Sequence, residues 1–315
     1  MRVVLKLFLP LFFFCCGVGL AQSPSASIRG IVLDPDARAV AGAEIIVVND
    51  TTRVQYISHT NEEGIYLVAD LPPGPYRIQV SKTGFQTIIK PDLILNVQDV
   101  ASLNFNLSIG AESVSVTVEG GAPMINTTDG AVSTVVDRQF AENLPMNGRS
   151  FQTLIYLTPG VVATPSNSGD SGQFSVNGQR ADANYWMVDG VGANIGIGAT
   201  QQGGGNGLGG ALGSFSALGG TNSLVSVDAL QEFRIETSTF APEFGRTPGG
   251  QVSIVTRSGT NDFHGTVFDY LRNDVLDANN WFANSVGAAK PRERQNDFGG
   301  TFNGPVLKNR AFFFF

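Results

Sequence analysis

Short runs in which apolar and polar residues alternate fill the first part of this chain, and this two-residue period most constrains its fold. The alternation is clearest at 76–81 and 103–108. Successive side chains of a strand point to opposite faces of a sheet, so these runs predict strands with one apolar and one polar face. Turn-forming residues separate the runs at 34–36, 61–64 and 72–75. Strands at this spacing predict a β-sandwich over residues 22–109.

The first 21 residues have a different character. Arg2 and Lys6 precede an apolar run at 7–20, and small residues stand just before position 22. This pattern is typical of a cleaved secretory signal. A membrane anchor is the alternative, but a spanning helix needs about 20 apolar residues, and Pro10 interrupts the run. We therefore predict that residues 1–21 are a signal peptide.

The residues that carry chemistry are sparse. The two cysteines, Cys15 and Cys16, lie in the predicted signal, so the mature chain has no disulfide and no thiolate. The two histidines, His59 and His264, fall in different predicted domains. No cluster has metal-ligand spacing and no nucleophile elbow occurs. We expect no enzyme activity, no catalytic residues, no metal and no cofactor.

The overall charge is also informative about partners. With 20 basic and 27 acidic residues the net charge is −7. A nucleic-acid-binding domain needs a basic patch. The sequence therefore argues against a nucleic-acid partner.

Five motifs within the predicted sandwich resemble those of a known family. They are Gly30–Asp34, Ala43–Ile45, Thr60–Tyr66, Leu71–Tyr76 and Ser81–Phe85. Together they resemble a carboxypeptidase-regulatory-like domain, which implies a sandwich of the prealbumin-like or immunoglobulin-like kind. Two roles stay open for it: a rigid spacer or docking module, and a carbohydrate-binding module suggested by fold analogy.

Residues 110–121 form a linker that contains one more alternating run. Val114, Val116 and Val118 alternate with serine and threonine, and no neighbouring segment supplies a hairpin partner. The run resembles a TonB box, the segment that the periplasmic protein TonB captures by pairing backbones along an exposed edge. The alternatives are the last strand of the sandwich and a plain linker. The resemblance implies that the TonB-contact residues are Glu112, Ser113, Val114, Ser115, Val116, Thr117, Val118 and Glu119.

Residues 122–258 mix short helical stretches, strands and glycine-rich loops. The segments 144–149, 158–161 and 256–265 resemble the Oar-like branch of the TonB-dependent receptors. The resemblance implies an α+β plug domain that sits inside a water-lined barrel. Within it we predict a tight turn at Asp189-Gly190 and a shared turn for one acidic and one basic residue. The predicted plug-motif residues are Asp189, Gly190, Glu243, Arg246, Gly249 and Gly250.

Residues 259–315 alternate again, most clearly at 298–306. Further strands are predicted at 264–272 and 310–315. They resemble the first strands of a transmembrane β-barrel, in which Tyr270 and the pair 281–282 would join an interfacial aromatic girdle. Three strands cannot close a barrel, so we expect an incomplete barrel and a longer protein.

The leading functional hypothesis is a TonB-dependent outer-membrane receptor-transporter that imports a ligand with energy from the inner membrane. Its expected partners are TonB with its energising complex, outer-membrane lipid and an extracellular ligand, for which a glycan and a peptide are candidates. The expected location is the outer membrane, with the N-terminal domain in the periplasm. The alternative is a surface adhesin, or a carbohydrate- or peptide-binding protein, that does not transport.

Overall fold

A computed structural model describes most of the chain beyond the predicted signal. The described residues are 25–110, 115–117, 130–144, 151–163, 174–180, 183–194, 224–240 and 247–315. They divide into two compact units, one with residues up to 47 and 56–256, the other with 48–55 and 257–315. Strands dominate both units, which confirms the mainly β prediction.

Nine strands belong to the N-terminal part. Their bounds are β1 Ala26–Leu33, β2 Glu44–Asn49, β3 Gln55–His59, β4 Ile65–Leu71, β5 Gly74–Ser81, β6 Thr87–Leu95, β7 Val100–Ser102, β8 Phe105–Asn106 and β9 Ser115–Thr117. One sheet has the order β4-β1-β7, with β8 also paired to β1, and the other has the order β3-β2-β5-β6-β9. Two sheets of alternating strands form the predicted sandwich.

The alternating pattern of the sequence corresponds to burial. Tyr76, Ile78 and Val80 of β5 are fully buried, and Tyr66 of β4 lies in the same core. The two tyrosine hydroxyls are satisfied inside the domain, because Tyr66 donates to the Leu103 carbonyl at 2.8 Å and Tyr76 to the Pro72 carbonyl. With these two hydrogen bonds, both large rings stabilise the core and neither buried hydroxyl lacks a partner.

The region predicted as the plug follows. Its elements are β10 Val132–Asp137, α1 Arg138–Asn143, α2 Gln152–Ile155, β11 Val161–Ala163, β12 Phe174–Val176, β13 Tyr185–Val188, β14 Val191–Gly192, a 3-10 turn Val227–Ala229, β15 Leu230–Ser238 and β16 Gln251–Thr256. Five strands form a sheet in the order β10-β15-β16-β13-β14, and β11 pairs with β12. The β13–β16 pairing is parallel, whereas the other pairings of this sheet are antiparallel.

One face of the five-stranded sheet carries the apolar core of this region. Phe233 and Ile235 of β15 lie on that face, and they pack with Phe151, Phe174 and Trp186. Phe151 contacts Phe233 and Trp186 with ring centroids 5.9 and 6.5 Å apart. The short helices therefore cover the apolar face. The opposite face of the sheet carries polar side chains.

The second unit contains a separate antiparallel sheet. Its elements are β17 His264–Asn273, a 3-10 turn Asp274–Leu276, α3 Trp281–Ser285, β18 Arg294–Leu307 and β19 Ala311–Phe314. The strand order is β17-β18-β19. All three strands were predicted, and β17 and β18, with 10 and 14 residues, reach the length of about 9–11 residues that a membrane-spanning strand needs.

Candidate functional site

The predicted TonB-contact segment lies at the edge of the sandwich where the structure describes it. Residues 115–117 form β9, which pairs in parallel with β6: Thr87 faces Ser115, Ile88 faces Val116 and Ile89 faces Thr117. The other predicted contact residues, Glu112, Ser113, Val114, Val118 and Glu119, fall outside the described residues. Among the described strands, β9 is the last one of its sheet. The segment is therefore an edge strand, which is compatible both with capture by a partner strand and with the alternative of a final sandwich strand.

Asp189 and Gly190 form the two-residue loop between β13 and β14, as the tight-turn prediction requires. Val188 pairs with Val191 across this loop, and both loop residues have positive φ, 47° at Asp189 and 79° at Gly190. This is the backbone of a type I′ turn, which aspartate followed by glycine adopts readily. The loop is short because its two residues accept a conformation that most side chains avoid.

The Asp189 side chain ties this turn to the end of β16. One carboxylate oxygen accepts from the Thr256 N–H at 2.9 Å, and the other accepts from the Thr256 hydroxyl at 2.7 Å. The Asp189 N–H donates to the Ile254 carbonyl. A carboxylate with two donors fixes the last residue of the five-stranded sheet, just before the second unit begins.

Gly249 and Gly250 directly precede β16, and neighbouring atoms approach their backbone closely. A Cβ at Gly249 would stand 2.4 Å from the Ala183 carbonyl oxygen, and one at Gly250 would stand 2.8 Å from a Val176 methyl. Only glycine fits at such separations, which explains the Gly-Gly pair by close backbone approach. These two glycines therefore have a packing role in the described structure.

A buried asparagine that sequence reasoning missed contacts this glycine pair. Asn184 is fully buried; its side-chain carbonyl accepts from the Gly250 N–H at 2.9 Å, and its amide donates to the Phe174 carbonyl at 2.8 Å. Its backbone carbonyl accepts from the Asn194 side chain. A single asparagine in a loop gives no sequence signal of this kind, because its partners lie 10 and 66 residues away.

Glu243 and Arg246 lie outside the described residues. Their shared turn therefore stays a prediction.

The face of the five-stranded sheet opposite its apolar core carries ionisable and polar side chains, and these side chains are buried. Glu232, Arg234 and Glu236 alternate along β15, and Gln251 and Ser253 lie beside them on β16; each is at most 5% exposed. Buried charges need partners, since an unpaired one costs several kcal/mol. The partners come partly from the sandwich.

Arg234 is the centre of this junction. Its guanidinium donates to the Val97 carbonyl and to an Asp99 carboxylate oxygen at 3.0 Å, and it donates to the Ser133 hydroxyl at 3.1 Å. Val97 and Asp99 belong to the turn between β6 and β7 of the sandwich. The fork of guanidinium donors therefore joins two sheets with one side chain.

Glu232 precedes Arg234 by two residues on β15 and contacts the same sandwich turn. Its carboxyl group accepts from the Val97 N–H. Burial raises the pKa of Glu232 to about 7, with smaller contributions from the nearby Asp99 and Asp137 carboxylates, while the Val97 hydrogen bond and Arg234 oppose the shift. The group therefore changes its charge near neutral pH, in a place where water cannot easily solvate that charge.

Gln98 extends the junction to the next strand. Its side-chain amide donates to the Ser253 hydroxyl at 3.0 Å. The turn 96–99 thus contacts both central strands of the sheet, β15 and β16. Sequence reasoning gave no role to any of these residues, because they are far apart in the chain.

One face of the sheet in the second unit carries four exposed apolar side chains, with the polar Asp269 and Asn296 between them. Val267 and Leu271 of β17 share that face with Phe298 and Phe302 of β18, because their cross-strand partners follow the two-residue period. All four are exposed, Val267 at 94%. Thr266 and Thr301 lie opposite each other on the other face, where their hydroxyls are 2.7 Å apart. An exposed apolar face of this kind is typical of strands that face lipid.

The described residues contain no group of three or more His, Cys, Asp or Glu that could hold a metal ion. None of the described helices has the length and apolar character to cross a membrane.

Comparison with known families matches both ends of the described chain. Residues 27–108 match the carboxypeptidase regulatory-like domain family, and residues 255–315 match the outer membrane beta barrel domain family. A curated relative, the TonB-dependent transporter Oar of Myxococcus xanthus, is 28% identical over an alignment of 311 residues, and the alignment covers 93% of this chain. The chain spans about a quarter, 26%, of that relative's length.

Solved structures give weaker similarity. The siderophore receptor PirA of Acinetobacter baumannii is 22% identical, with a TM-score of 0.40 over 56% of this chain and 22% of that chain. A mutant of the ferric enterobactin receptor PfeA of Pseudomonas aeruginosa is 18% identical, with a TM-score of 0.39 over 58% of this chain and 24% of that chain. Similarity at this level says nothing about what this chain binds.

Proposed function

We propose that this chain takes part in energised import, on the premise that it is related to the TonB-dependent outer-membrane receptors of the Oar-like branch and carries an N-terminal carboxypeptidase regulatory-like domain. The protein is located in the outer membrane, with its N-terminal domain in the periplasm. The import itself, its energy source and its ligand are our proposal.

The observation that carries the proposal is the edge strand β9. It lies between the sandwich and the plug region in the chain, and its backbone is in extended, paired form. A strand at the end of a sheet offers backbone N–H and C=O groups to an added strand. We therefore propose that TonB binds this segment and transmits work from the inner membrane to the plug.

The remaining steps involve binding and movement rather than covalent chemistry. An extracellular ligand binds on the outer side, TonB acts on the segment in the periplasm, and the plug sheet rearranges so that the ligand passes. The apolar face of Val267, Leu271, Phe298 and Phe302 contacts outer-membrane lipid.

The test compares two substitutions at Val116 in the full-length receptor. Val116→Pro removes a backbone N–H and resists β pairing, whereas Val116→Ile keeps the backbone and the β propensity. We expect binding of the purified periplasmic domain of TonB to fall at least ten-fold in the proline variant and to stay unchanged in the isoleucine variant. Equal binding by both variants, or no binding by the wild type, would refute the proposal.

A further inference from the structure

The pairing of β9 with β6 determines which of its backbone groups are available at the edge of the sheet. Strand β9 is fixed in register on β6, a strand whose other edge is paired with β5 over most of its length. Just before β6, Phe85 forms an antiparallel bridge with Ile109. Two residues further along, Thr87 pairs in parallel with Ser115, the first residue of β9.

Backbone directions show how the two sides of β9 are used. The Gln86 N–H donates to the Ser108 carbonyl, so the even-numbered N–H groups at this end of β6 point to the edge that β9 occupies. Along β9 itself the N–H and C=O groups alternate between the two sides in the same way. Pairing with β6 therefore uses about half of the backbone groups of β9, and the other half point away from the sandwich.

We propose that the sandwich is a presenting platform: β6 holds residues 115–117 as an ordered edge strand, and a strand of TonB adds to the outer side of β9 as the next strand of the same sheet. This inference rests on the proposed function, because it takes TonB as the partner. It assigns to the carboxypeptidase regulatory-like domain a role in partner binding rather than in glycan binding.

The physical reason for such a platform is entropic. A free segment has to be ordered when a partner strand pairs with it, and this ordering weakens binding. A segment that already lies on β6 has its extended conformation and its register set before TonB arrives. Breaking the β6–β9 pairing is then expected to weaken TonB binding, even though the sequence of the segment is unchanged.

A disulfide between the two strands tests the platform directly. Ile89 and Thr117 are Cα partners, and neighbouring strands are about 4.8 Å apart, within the Cα separations that a disulfide spans. Residues 17–315 contain no cysteine, and Ile89→Cys with Thr117→Cys is introduced into a receptor in which any cysteine beyond residue 315 is replaced by serine. The register control is Ile89→Cys with Ser115→Cys, which lies two residues out of register.

The measurement is the Kd of the periplasmic domain of TonB for the full-length receptor, oxidised and then reduced. We expect the in-register pair to crosslink faster than the control pair, and the crosslinked receptor to bind TonB within two-fold of wild type or more tightly. Failure of the in-register pair to crosslink overturns the platform. So does a ten-fold loss of binding in the oxidised receptor that reduction restores, because the segment would then have to leave β6 first.

These outcomes separate the platform from the proposed function. If the wild type binds TonB, Val116→Pro does not, and the oxidised crosslink also abolishes binding, then the import proposal stands and the platform is wrong. If Val116→Pro binds as well as the wild type, the partner assignment of the segment is wrong and the platform is refuted together with it.

Discussion

At the scale of single residues, the plug region depends on side chains that bridge segments distant in sequence. Asp189 accepts two hydrogen bonds from Thr256 while its own φ of 47° keeps the turn short. Asn184 likewise bridges distant segments, because it donates to the Phe174 carbonyl and accepts from the Gly250 N–H just before β16. Each is a short polar side chain in a loop, where a side chain can satisfy backbone groups that no strand partner reaches.

Replacing Asp189 tests this bridging role. Asp189→Ala removes both hydrogen bonds to Thr256 and puts alanine, which tolerates the left-handed region less well than aspartate, at this positive φ. We therefore expect a loss of about 2 kcal/mol in the free energy of unfolding. Trp186 lies in the adjacent core and reports on unfolding by fluorescence. The measurement uses a background in which Trp281 and any tryptophan beyond residue 315 are replaced by phenylalanine, so that Trp186 is the reporter.

Asp189→Asn is the matched control for this substitution. Asparagine tolerates positive φ and keeps one acceptor oxygen for the Thr256 N–H. We expect it to lose clearly less stability than the alanine variant. Equal losses in the two variants would mean that the charge, rather than the turn and the hydrogen bond, stabilises this site.

At the scale of elements, strands of the two units show the same alternation, but the apolar face is covered only in the sandwich. In β5 the apolar side chains are buried in the sandwich core, whereas in β17 and β18 they are exposed. A large exposed apolar face is rare in a protein surrounded by water. The match of residues 255–315 to an outer membrane beta barrel family gives the reason: lipid is the expected surroundings of that face.

A charge on this face tests which side meets lipid. Val267→Lys is expected to lower barrel assembly, because a lysine facing the bilayer midplane costs about 2–4 kcal/mol. Thr266→Lys changes the neighbouring residue, which points to the opposite face beside Thr301. The readout is the heat-modifiable, folded receptor in the outer-membrane fraction of cells.

We expect the Thr266 variant to assemble much better than the Val267 variant. Equal assembly of the two variants would show that this face is not directed at lipid. Poorer assembly of the Thr266 variant would reverse the assignment of the two faces.

At the scale of the whole molecule, the sandwich and the plug region form one compact unit, and the buried polar face of the plug sheet takes partners from the sandwich turn at 96–99. If the sandwich were joined to the plug region only by a flexible linker, a buried guanidinium between the two would not be needed. The sandwich is therefore coupled to the plug sheet by specific contacts, through which a force applied at β9 could reach β15. Such coupling is expected to depend on the charge of the junction.

Removing the central guanidinium tests the coupling. Arg234→Met leaves the Val97 carbonyl and the Asp99 carboxylate without this donor in a buried place, so we expect a loss of at least about 3 kcal/mol in stability. The measurement is differential scanning calorimetry of the purified receptor, in which the sandwich and plug should no longer unfold together. Arg234→Lys keeps the charge but not the fork of donors, and it should lose less.

The pH dependence of the junction follows from Glu232. Its pKa is raised from an ordinary 4.5 to about 7, so the folded protein binds more protons than the unfolded chain between these values, and stability falls as pH rises through this window. The full effect is on the order of 3 kcal/mol between pH 4.5 and pH 8.

Glu232→Gln is the appropriate variant, because its amide oxygen still accepts from the Val97 N–H but the side chain no longer titrates. Calorimetry at pH 5 and pH 8 should show that the wild type loses more stability on going to pH 8 than the variant does. The same pH dependence in both proteins would mean that Glu232 is not the group that titrates in the junction.

Much of the fold was predictable from local pattern, because strands and turns are decided by near neighbours. The sandwich strands, the Asp189-Gly190 turn and the three strands after residue 259 were all predicted from alternation and turn residues. The junction was not predictable, since Arg234 and Asp99 are 135 residues apart, and a charged residue within a strand pattern usually indicates a solvated face.

The sequence by itself therefore determined the strand pattern, the absence of cysteine beyond Cys16 and the resemblance to a receptor with a plug and a barrel. Only the tertiary structure decided which polar face is buried, which glycines are sterically required and where residues 115–117 pair. The physical reason is that alternation records which side chains share a face, whereas the partner that covers a face depends on contacts between distant segments.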